Sequence, residues 1–135
     1  IFCKGRWFWT KVNAKGDVPS EGRYGHTVCY YRHTLVVFGG EKQYNPALRT
    51  RECLNDVKTF SIGKVNLSAG NVIVFNKDTK EWKNIRCFGD IIEPRRNHVA
   101  AIVGKSMIVY GGVSSSGLYL SDLISLNFSK KSQDI

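Results

Sequence analysis

The 135-residue sequence lacks the long apolar run that a membrane-spanning helix needs. A bilayer takes about 18 consecutive apolar residues, whereas the longest nearly apolar run, Val99 to Val103, has the length of a β-strand. Proline is also scarce, with three residues against thirteen glycines and 12% aromatic residues. This composition favours a β-rich chain with tight turns over a disordered one. We expect no association with a membrane.

Cysteine is sparse and poorly spaced for metal binding. No two of the four cysteines have the close spacing that is typical of zinc ligands; they lie at Cys3, Cys29, Cys53 and Cys87. With 42% hydrophobic residues, the chain can build a core without disulfides. We therefore expect free thiols in a reducing, cytoplasmic compartment. Because the first residue is Ile1 and not Met, we also expect the sequence to lie inside a longer protein.

Acidic residues are outnumbered, with eleven Asp and Glu against twenty Lys and Arg, a net charge of +9. Such a balance favours acidic partners. The basic residues are scattered, and only Arg95-Arg96 and Lys130-Lys131 are adjacent. The pattern therefore indicates an acidic protein surface, such as that of tubulin, as the partner and argues against nucleic acid.

The side chains that usually carry catalysis are few. The three histidines, His26, His33 and His98, have no shared carboxylate neighbour that would suit a metal site or a catalytic triad. The serine-rich segment after Gly111-Gly112 lacks both a following helix and the Gly-Lys-Ser/Thr ending of a phosphate loop. We predict no catalytic residue, no cofactor and no metal.

Two parts of the sequence repeat each other without a gap. His98 lies 72 positions after His26, and Gly111 lies 72 positions after Gly39. Each copy has an Arg and a His before an apolar hairpin, then Gly-Gly, then Leu-x-Asp. A tryptophan and a Gly-Asp pair precede each copy. The repeated positions are His26, Gly39, Gly40, Asp56, Trp82, His98, Gly111, Gly112 and Asp122.

This order of landmarks resembles the kelch repeat family over essentially the whole chain. The resemblance implies an all-β fold, a partial kelch-type β-propeller with the outer strand of one blade, one full blade and three strands of the next. The blades would cover residues 1–15, 16–88 (with long insertions) and 89–135. A propeller closes with about 4 to 8 blades, so we expect other parts of the polypeptide, or other chains, to complete it.

The predicted strands cover residues 25–31, 34–39, 72–76, 98–103, 106–111 and 122–127, with no helix longer than two turns. Trp9 and Trp82 are assigned to outer strands, and residues 72–75 to the third strand of the first blade. An alternative extends the third strand to Phe60 and adds a small hairpin at Gly63. The period of 72 exceeds the usual kelch length of about 50, which places insertions at 41–53 and 57–70.

The absence of recognisable chemistry indicates a non-enzymatic interaction or scaffold module. The resemblance to kelch proteins, together with the basic charge, favours a cytoskeletal or ciliary assembly. The alternatives are a substrate receptor of a ubiquitin ligase, or the propeller region of an enzyme, either a kelch-containing phosphatase or a galactose-oxidase-like copper enzyme. Candidate partner-binding residues lie in the first insertion and, as the resemblance implies, at the channel mouth. At the mouth, arginines could bind acidic peptides or bridge blades. The candidates are Arg23, Tyr24, Arg49, Arg51, Arg95, Arg96 and Asn97.

Overall fold

The computed structural model describes residues 5–62, 65–67, 73–75 and 80–128. Within these residues the chain is all β and contains no helix, which confirms the predicted fold class. The sheets do not close on themselves. The strands are β1 (Lys15–Gly16), β2 (Arg23–Tyr24), β3 (Thr27–Tyr31), β4 (Thr34–Phe38), β5 (Glu41–Lys42), β6 (Val57–Ser61), β7 (Val65–Leu67), β8 (Ile73–Phe75), β9 (Glu81–Ile85), β10 (Val99–Val103), β11 (Ser106–Tyr110) and β12 (Leu123–Asn127).

The first blade is the antiparallel succession β3, β4, β6 and β9, with β1 added in parallel at the outer edge. A two-residue turn joins β3 to β4, and its residues Arg32 and His33 have φ angles of 44° and 60°. Positive φ at both central residues gives the turn whose twist matches a β-hairpin. On β9, the Trp82 ring packs 5.1 Å from the Phe60 ring of β6, so Trp82 lies on the outer antiparallel strand.

The third strand of this blade is β6, and the assignment of residues 72–75 to that place was wrong. Strand β8, at residues 73–75, pairs with β7 in a separate small hairpin. The alternative assignment, with the third strand ending near Phe60, matches the structure, although Gly63 lies outside the described residues. Val57 and Phe60 give β6 its buried contacts. Its remaining residues, Lys58, Thr59 and Ser61, are polar and hid the strand in the sequence.

The predicted strand around Trp9 is not formed. Residues 5–14 contain no strand, and the Trp9 side chain is fully exposed. An outer strand needs an inner strand beside it, and none of the described strands pairs with this segment. The division of the chain into blades at 1–15, 16–88 and 89–135 stays a prediction.

The second blade consists of β10, β11 and β12 and packs one face against the first blade. Its side chains alternate between the two faces, as a strand requires. Met107 and Val109 are buried in one core with Val36, Phe38 and Val57 of the first blade. The opposite face is uncovered and exposes four large apolar side chains: Val99, Val103, Tyr110 and Leu123.

Candidate interaction surface at the hairpin end

An arginine–aspartate pair stands in the same place in each blade. The Arg95 guanidinium donates to both carboxylate oxygens of Asp122, at 2.6 and 2.8 Å, and to the Gly111 carbonyl at 3.0 Å. The second blade's geometry repeats that of the first, in which Arg23 donates to Asp56 at 2.7 and 3.0 Å and to the Gly39 carbonyl at 3.0 Å. Two parallel hydrogen bonds from a planar guanidinium make a strong and directional contact.

These pairs correct the expectation that Arg23 and Arg95 face a partner. The Arg95 side chain is 0% exposed and that of Arg23 only 12%, so both are used inside their own blade. The hydrogen bond from Arg95 lowers the pKa of Asp122. Partial burial pushes the pKa of Asp56 up, but the hydrogen bond and charge of Arg23 outweigh it, and the pKa falls below its ordinary value.

The second glycine of each Gly-Gly pair allows a close backbone approach. Gly40 and Gly112 have φ angles of 96° and 97°, a region that side chains rarely adopt. A Cβ on Gly40 would lie 2.9 Å from the Cβ of His26, and one on Gly112 would lie 2.7 Å from the Arg96 carbonyl oxygen. The repeated glycines therefore hold the hairpin end of each blade against the segment that enters its first strand.

His98 lies at the junction between the blades. Its Nε2 is 2.8 Å from the Thr27 hydroxyl of the first blade, and its ring meets Phe38 edge-on at 5.1 Å. Burial lowers the pKa of His98, because the charged imidazolium is disfavoured away from water. His26, its repeat mate, is exposed. In the second blade the histidine is thus part of the packing framework.

Two hairpins project at the end of the blades where β4 and β11 finish. We call residues 41–53 the first hairpin and residues 113–119 the second hairpin. The first is closed by a bridge between Glu41 and Cys53, and the second by a bridge between Val113 and Tyr119. After the hairpins the repeat spacing falls from 72 to 66, the separation of Asp56 and Asp122. The first hairpin is therefore six residues longer than the second.

The extra residues form an ordered tip. The Asn45 side-chain oxygen accepts hydrogen bonds from the Ala47 and Leu48 amides at 3.0 and 3.4 Å, a local bond typical of turns. Asn45 also pairs with Thr50 across the tip, and Arg49 has a φ of 50°. The tip thus has a defined backbone and is not a loose loop.

The tip presents basic and apolar side chains to solvent. Arg49 and Arg51 are exposed, and the Arg51 guanidinium lies 5.9 Å from the centre of the Tyr44 ring. Leu48 is 69% exposed. Within the described part of the chain, neither arginine makes an ion pair, while Lys42 lies 3.6 Å from Glu52. The tip therefore carries two uncompensated positive charges beside an aromatic and an aliphatic side chain.

The remaining candidates lie at the base of the first hairpin. Arg96 reaches from the second blade to Glu41 and Cys53 of the first and so bridges the two blades, with 19% of its side chain left exposed. A hydrogen bond to Glu41 raises the pKa of Tyr24, whose ring is half exposed. Asn97 is exposed and its amide donates to the Gly25 carbonyl at 2.8 Å.

The structure thus divides the seven candidates. Arg49 and Arg51 share the exposed tip, Tyr24 and Asn97 are exposed near its base, and the other three arginines are held by internal partners. The sequence prediction missed Tyr44 and Leu48 at the tip and Glu41 and Cys53 below it. The change in repeat spacing from 72 to 66 was the available signal for all four.

The described residues offer no set of three or more His, Cys, Asp or Glu side chains that could bind a metal ion. Among the same residues, no helix has the length and apolar character to span a membrane. What the hairpin end offers instead is an arginine- and tyrosine-bearing surface, a composition enriched at protein interfaces.

The repeated Arg–Asp pairs, glycine contacts and stacked four-stranded blade define a kelch-type β-propeller protein. A sequence profile described as the KLHDC2/KLHL20/DRC7 kelch-repeats domain matches residues 2–132. The chain belongs to the kelch-repeat family, whose domains generally serve as protein–protein interaction modules.

Three curated relatives illustrate the range of proteins that carry similar repeats. Kelch domain-containing protein 3 of Rattus norvegicus is 30% identical over 86% of the chain, and tRNA wybutosine-synthesizing protein 2/3/4 of Oryza sativa subsp. japonica is 30% identical over 84%. Tip elongation aberrant protein 1 of Schizosaccharomyces pombe is 26% identical over 82%. The chain spans 27%, 9% and 8% of these three proteins, respectively.

Proposed function

We propose that this chain is a non-enzymatic interaction module that binds an acidic protein surface through the tip of the first hairpin. One observation carries the proposal: Arg49 and Arg51 are exposed on an ordered hairpin tip that the second blade lacks, and neither makes an ion pair with any of the described residues. Insertions into a repeat protein commonly fall on its binding face. The exposed Tyr44 and Leu48 supply apolar contact area beside the two charges.

A cytoskeletal or ciliary assembly is the setting that we favour. The net charge of +9 suits acidic surfaces such as that of tubulin, and one relative is named for tip elongation. The second candidate is a substrate receptor of a ubiquitin ligase, which would use the same tip on a different partner. The wybutosine-synthesizing relatives keep an enzymatic setting open as a third candidate, with catalysis outside the repeats.

We further propose that other blades of the same propeller cover the open face of the second blade and the groove beside the first hairpin. A groove of about 800 Å³ lies between residues 20–24 and the first hairpin. The matching segment of the second blade, residues 92–96, is covered by the first blade. There, Gly40 donates to the Arg95 carbonyl at 2.8 Å, and the Arg95 amide donates to the Leu54 carbonyl at 3.0 Å. By this equivalence the groove receives a preceding blade and is not a ligand site.

The test is charge reversal at the tip with a matched control. Arg49→Glu with Arg51→Glu removes two positive charges and adds two negative ones. The control, Arg32→Glu with Lys105→Glu, makes the same change in charge at the hairpin turns on the opposite end of the blades. The two variants are also matched in backbone conformation, because each changes one residue at positive φ, Arg49 at 50° or Arg32 at 44°. Binding to purified tubulin and to a synthetic poly-glutamate peptide would be measured at several salt concentrations.

The tip variant should bind about tenfold more weakly, since each exposed ion pair contributes roughly 0.2–1 kcal/mol and reversal also adds repulsion. The difference should shrink at high salt. The control variant should bind like the wild type. Equal loss in both variants would mean that only the net charge matters, and the tip would then not be the binding site.

A further inference from the structure

We propose that Arg96 is a positioning residue: it fixes the base of the first hairpin from the neighbouring blade and does not itself contact the partner. The binding consequence rests on the function proposed above, whereas the positioning rests on contacts alone. Arg96 Nε lies 3.4 Å from Glu41 Oε2, and Arg96 Nη1 donates to Cys53 Sγ at 3.9 Å. Glu41 and Cys53 are the two residues whose bridge closes the hairpin. One guanidinium therefore touches both strands of the hairpin at its base.

The buried Glu41 carboxylate depends on the Arg96 guanidinium for a compensating charge. Glu41 is only 2% exposed, and a buried carboxylate without a compensating charge is costly. No other ion pair is formed by Glu41 within the described residues; its second polar neighbour is the Tyr24 hydroxyl. Glu41 Oε2 and Arg96 Nε have no hydrogen-bond partner among the residues that the structure describes, so charge attraction and not a directed hydrogen bond joins these two atoms.

Cys53 receives further contacts from the second blade. Its amide donates to the Ser115 hydroxyl at 2.9 Å, and its thiol donates to the Val113 carbonyl at 3.7 Å. Cys53 is 3% exposed as a result. The base of the first hairpin is thus held across the junction by three residues of the second blade, Arg96, Val113 and Ser115.

The contact between Arg96 and Glu41 is not repeated at the equivalent positions of the other blade. The position 72 residues before Arg96 is Tyr24, and the position 72 residues after Glu41 is Val113. Neither mate can form the ion pair, so the Arg96–Glu41 contact is not part of the repeated framework. It accompanies the six-residue extension, whose direction it sets. The orientation of Arg49 and Arg51 therefore depends on a residue of the next blade.

The first experiment measures how accessible Cys53 is at the base of the first hairpin, in the absence of any partner. In Arg96→Ala, alkylation of Cys53 by iodoacetamide, followed by mass spectrometry of the Cys53 peptide, should become about tenfold faster, because the guanidinium that covers the thiol is gone. Cys29 packs against the core between the blades and serves as the internal reference. Arg86→Ala, at an exposed arginine, is the matched control. An unchanged Cys53 rate would overturn the proposal, and so would a parallel rise at Cys29, which would indicate general loosening.

The second experiment separates positioning from direct contact. Arg96→Ala should weaken binding to poly-glutamate while leaving the salt dependence of the affinity as in the wild type, because the number of contacting charges is unchanged. Arg49→Ala should weaken binding and also flatten the salt dependence. A double variant that exchanges the two charges, Arg96→Glu with Glu41→Arg, should have the low Cys53 reactivity and the affinity of the wild type. If Arg96→Ala flattens the salt dependence of the affinity as much as Arg49→Ala does, the proposal is overturned.

Failure of the two proposals can be told apart. If the charge reversal at Arg49 and Arg51 leaves binding intact, the proposed function fails, whereas the Cys53 result still decides whether Arg96 holds the hairpin. If Cys53 is unaffected while the reversal weakens binding, the tip binds the partner but Arg96 does not position it.

Discussion

The buried guanidinium of Arg95 gives the most direct test of what holds a blade together. Asp122→Ala removes the carboxylate that accepts two of its hydrogen bonds, at 2.6 and 2.8 Å. The Gly111 and Glu93 carbonyls remain as acceptors, at 3.0 and 3.2 Å, but neither carries a charge. Breaking a buried ion pair from one side costs about 3–5 kcal/mol. Because Asp122 is 48% exposed, we expect the lower end, about 3 kcal/mol of unfolding free energy.

Asp56→Ala is the matched comparison, because the same contact is made by a guanidinium that keeps some exposure. Arg23 is 12% exposed, so water can partly replace the lost carboxylate, and we expect a loss of about 1–2 kcal/mol. Urea denaturation of the full-length protein, followed by tryptophan fluorescence and circular dichroism, would give both values. A loss at Asp122 no greater than that at Asp56 would refute the argument that burial of the arginine decides the cost.

The same pair gives the stability a defined pH dependence. The pKa of Asp122 is lower in the folded chain than the value of about 3.9 of an unfolded aspartate. Its contribution is therefore fully present above about pH 4 and is lost as the pH falls through the lower folded value. The stability difference between the wild type and Asp122→Asn should shrink over that acidic window. A difference that stays constant down to pH 2 would contradict the assigned ion pair.

Two further predictions follow from backbone geometry and from the open faces. Gly112→Ala should destabilise the fold by about 2–4 kcal/mol, because φ is strained and the new Cβ would meet the Arg96 carbonyl at 2.7 Å. Gly104→Ala, with positive φ but nothing within 4 Å, should cost only about 1–2 kcal/mol; equal losses in denaturant titrations would remove the steric argument. The chain expressed alone should be oligomeric or poorly soluble, because Val99 and Leu123 leave an apolar face uncovered. A compact, cooperatively melting monomer in size-exclusion chromatography would contradict this.

The repeat in the sequence predicted the fold well wherever two copies could be compared. The hairpins β3–β4 and β10–β11 fall at the predicted residues because their apolar runs and glycines recur at a spacing of 72. Strand β6 was misplaced because polar Lys58 and Thr59 interrupt its buried positions, whereas residues 72–75 are wholly apolar. A strand at a sheet interior can carry polar residues when only Val57 and Phe60 need to be buried.

The candidate site was harder to predict, because the sequence shows which residues are charged but not what neutralises them. Arg23 lies 33 residues from Asp56, and Arg95 lies 27 residues from Asp122. The unequal separations, caused by the longer first hairpin, hid the pairs in the sequence. Arg95 and Arg96 are adjacent, yet one is fixed within its blade and the other reaches the blade before it. Side-chain direction alternates along the chain, and the two neighbours consequently have different roles.

Comparison of equivalent positions separates framework from function more reliably than exposure does. Tyr119 is 90% exposed, but its equivalent Cys53 is buried by the next blade, so a further blade would cover Tyr119 too. Arg49 lies within the tip that the Asn45–Thr50 bridge closes and Arg51 directly follows it, while the second hairpin carries no arginine, so no equivalent arginine has a burial that could explain their role. The tip is not part of the repeated framework, and comparison with the second blade does not predict its burial by a neighbouring blade. The fold therefore gives no structural reason for its basic side chains. That is the physical ground for our proposal that the first hairpin binds a partner.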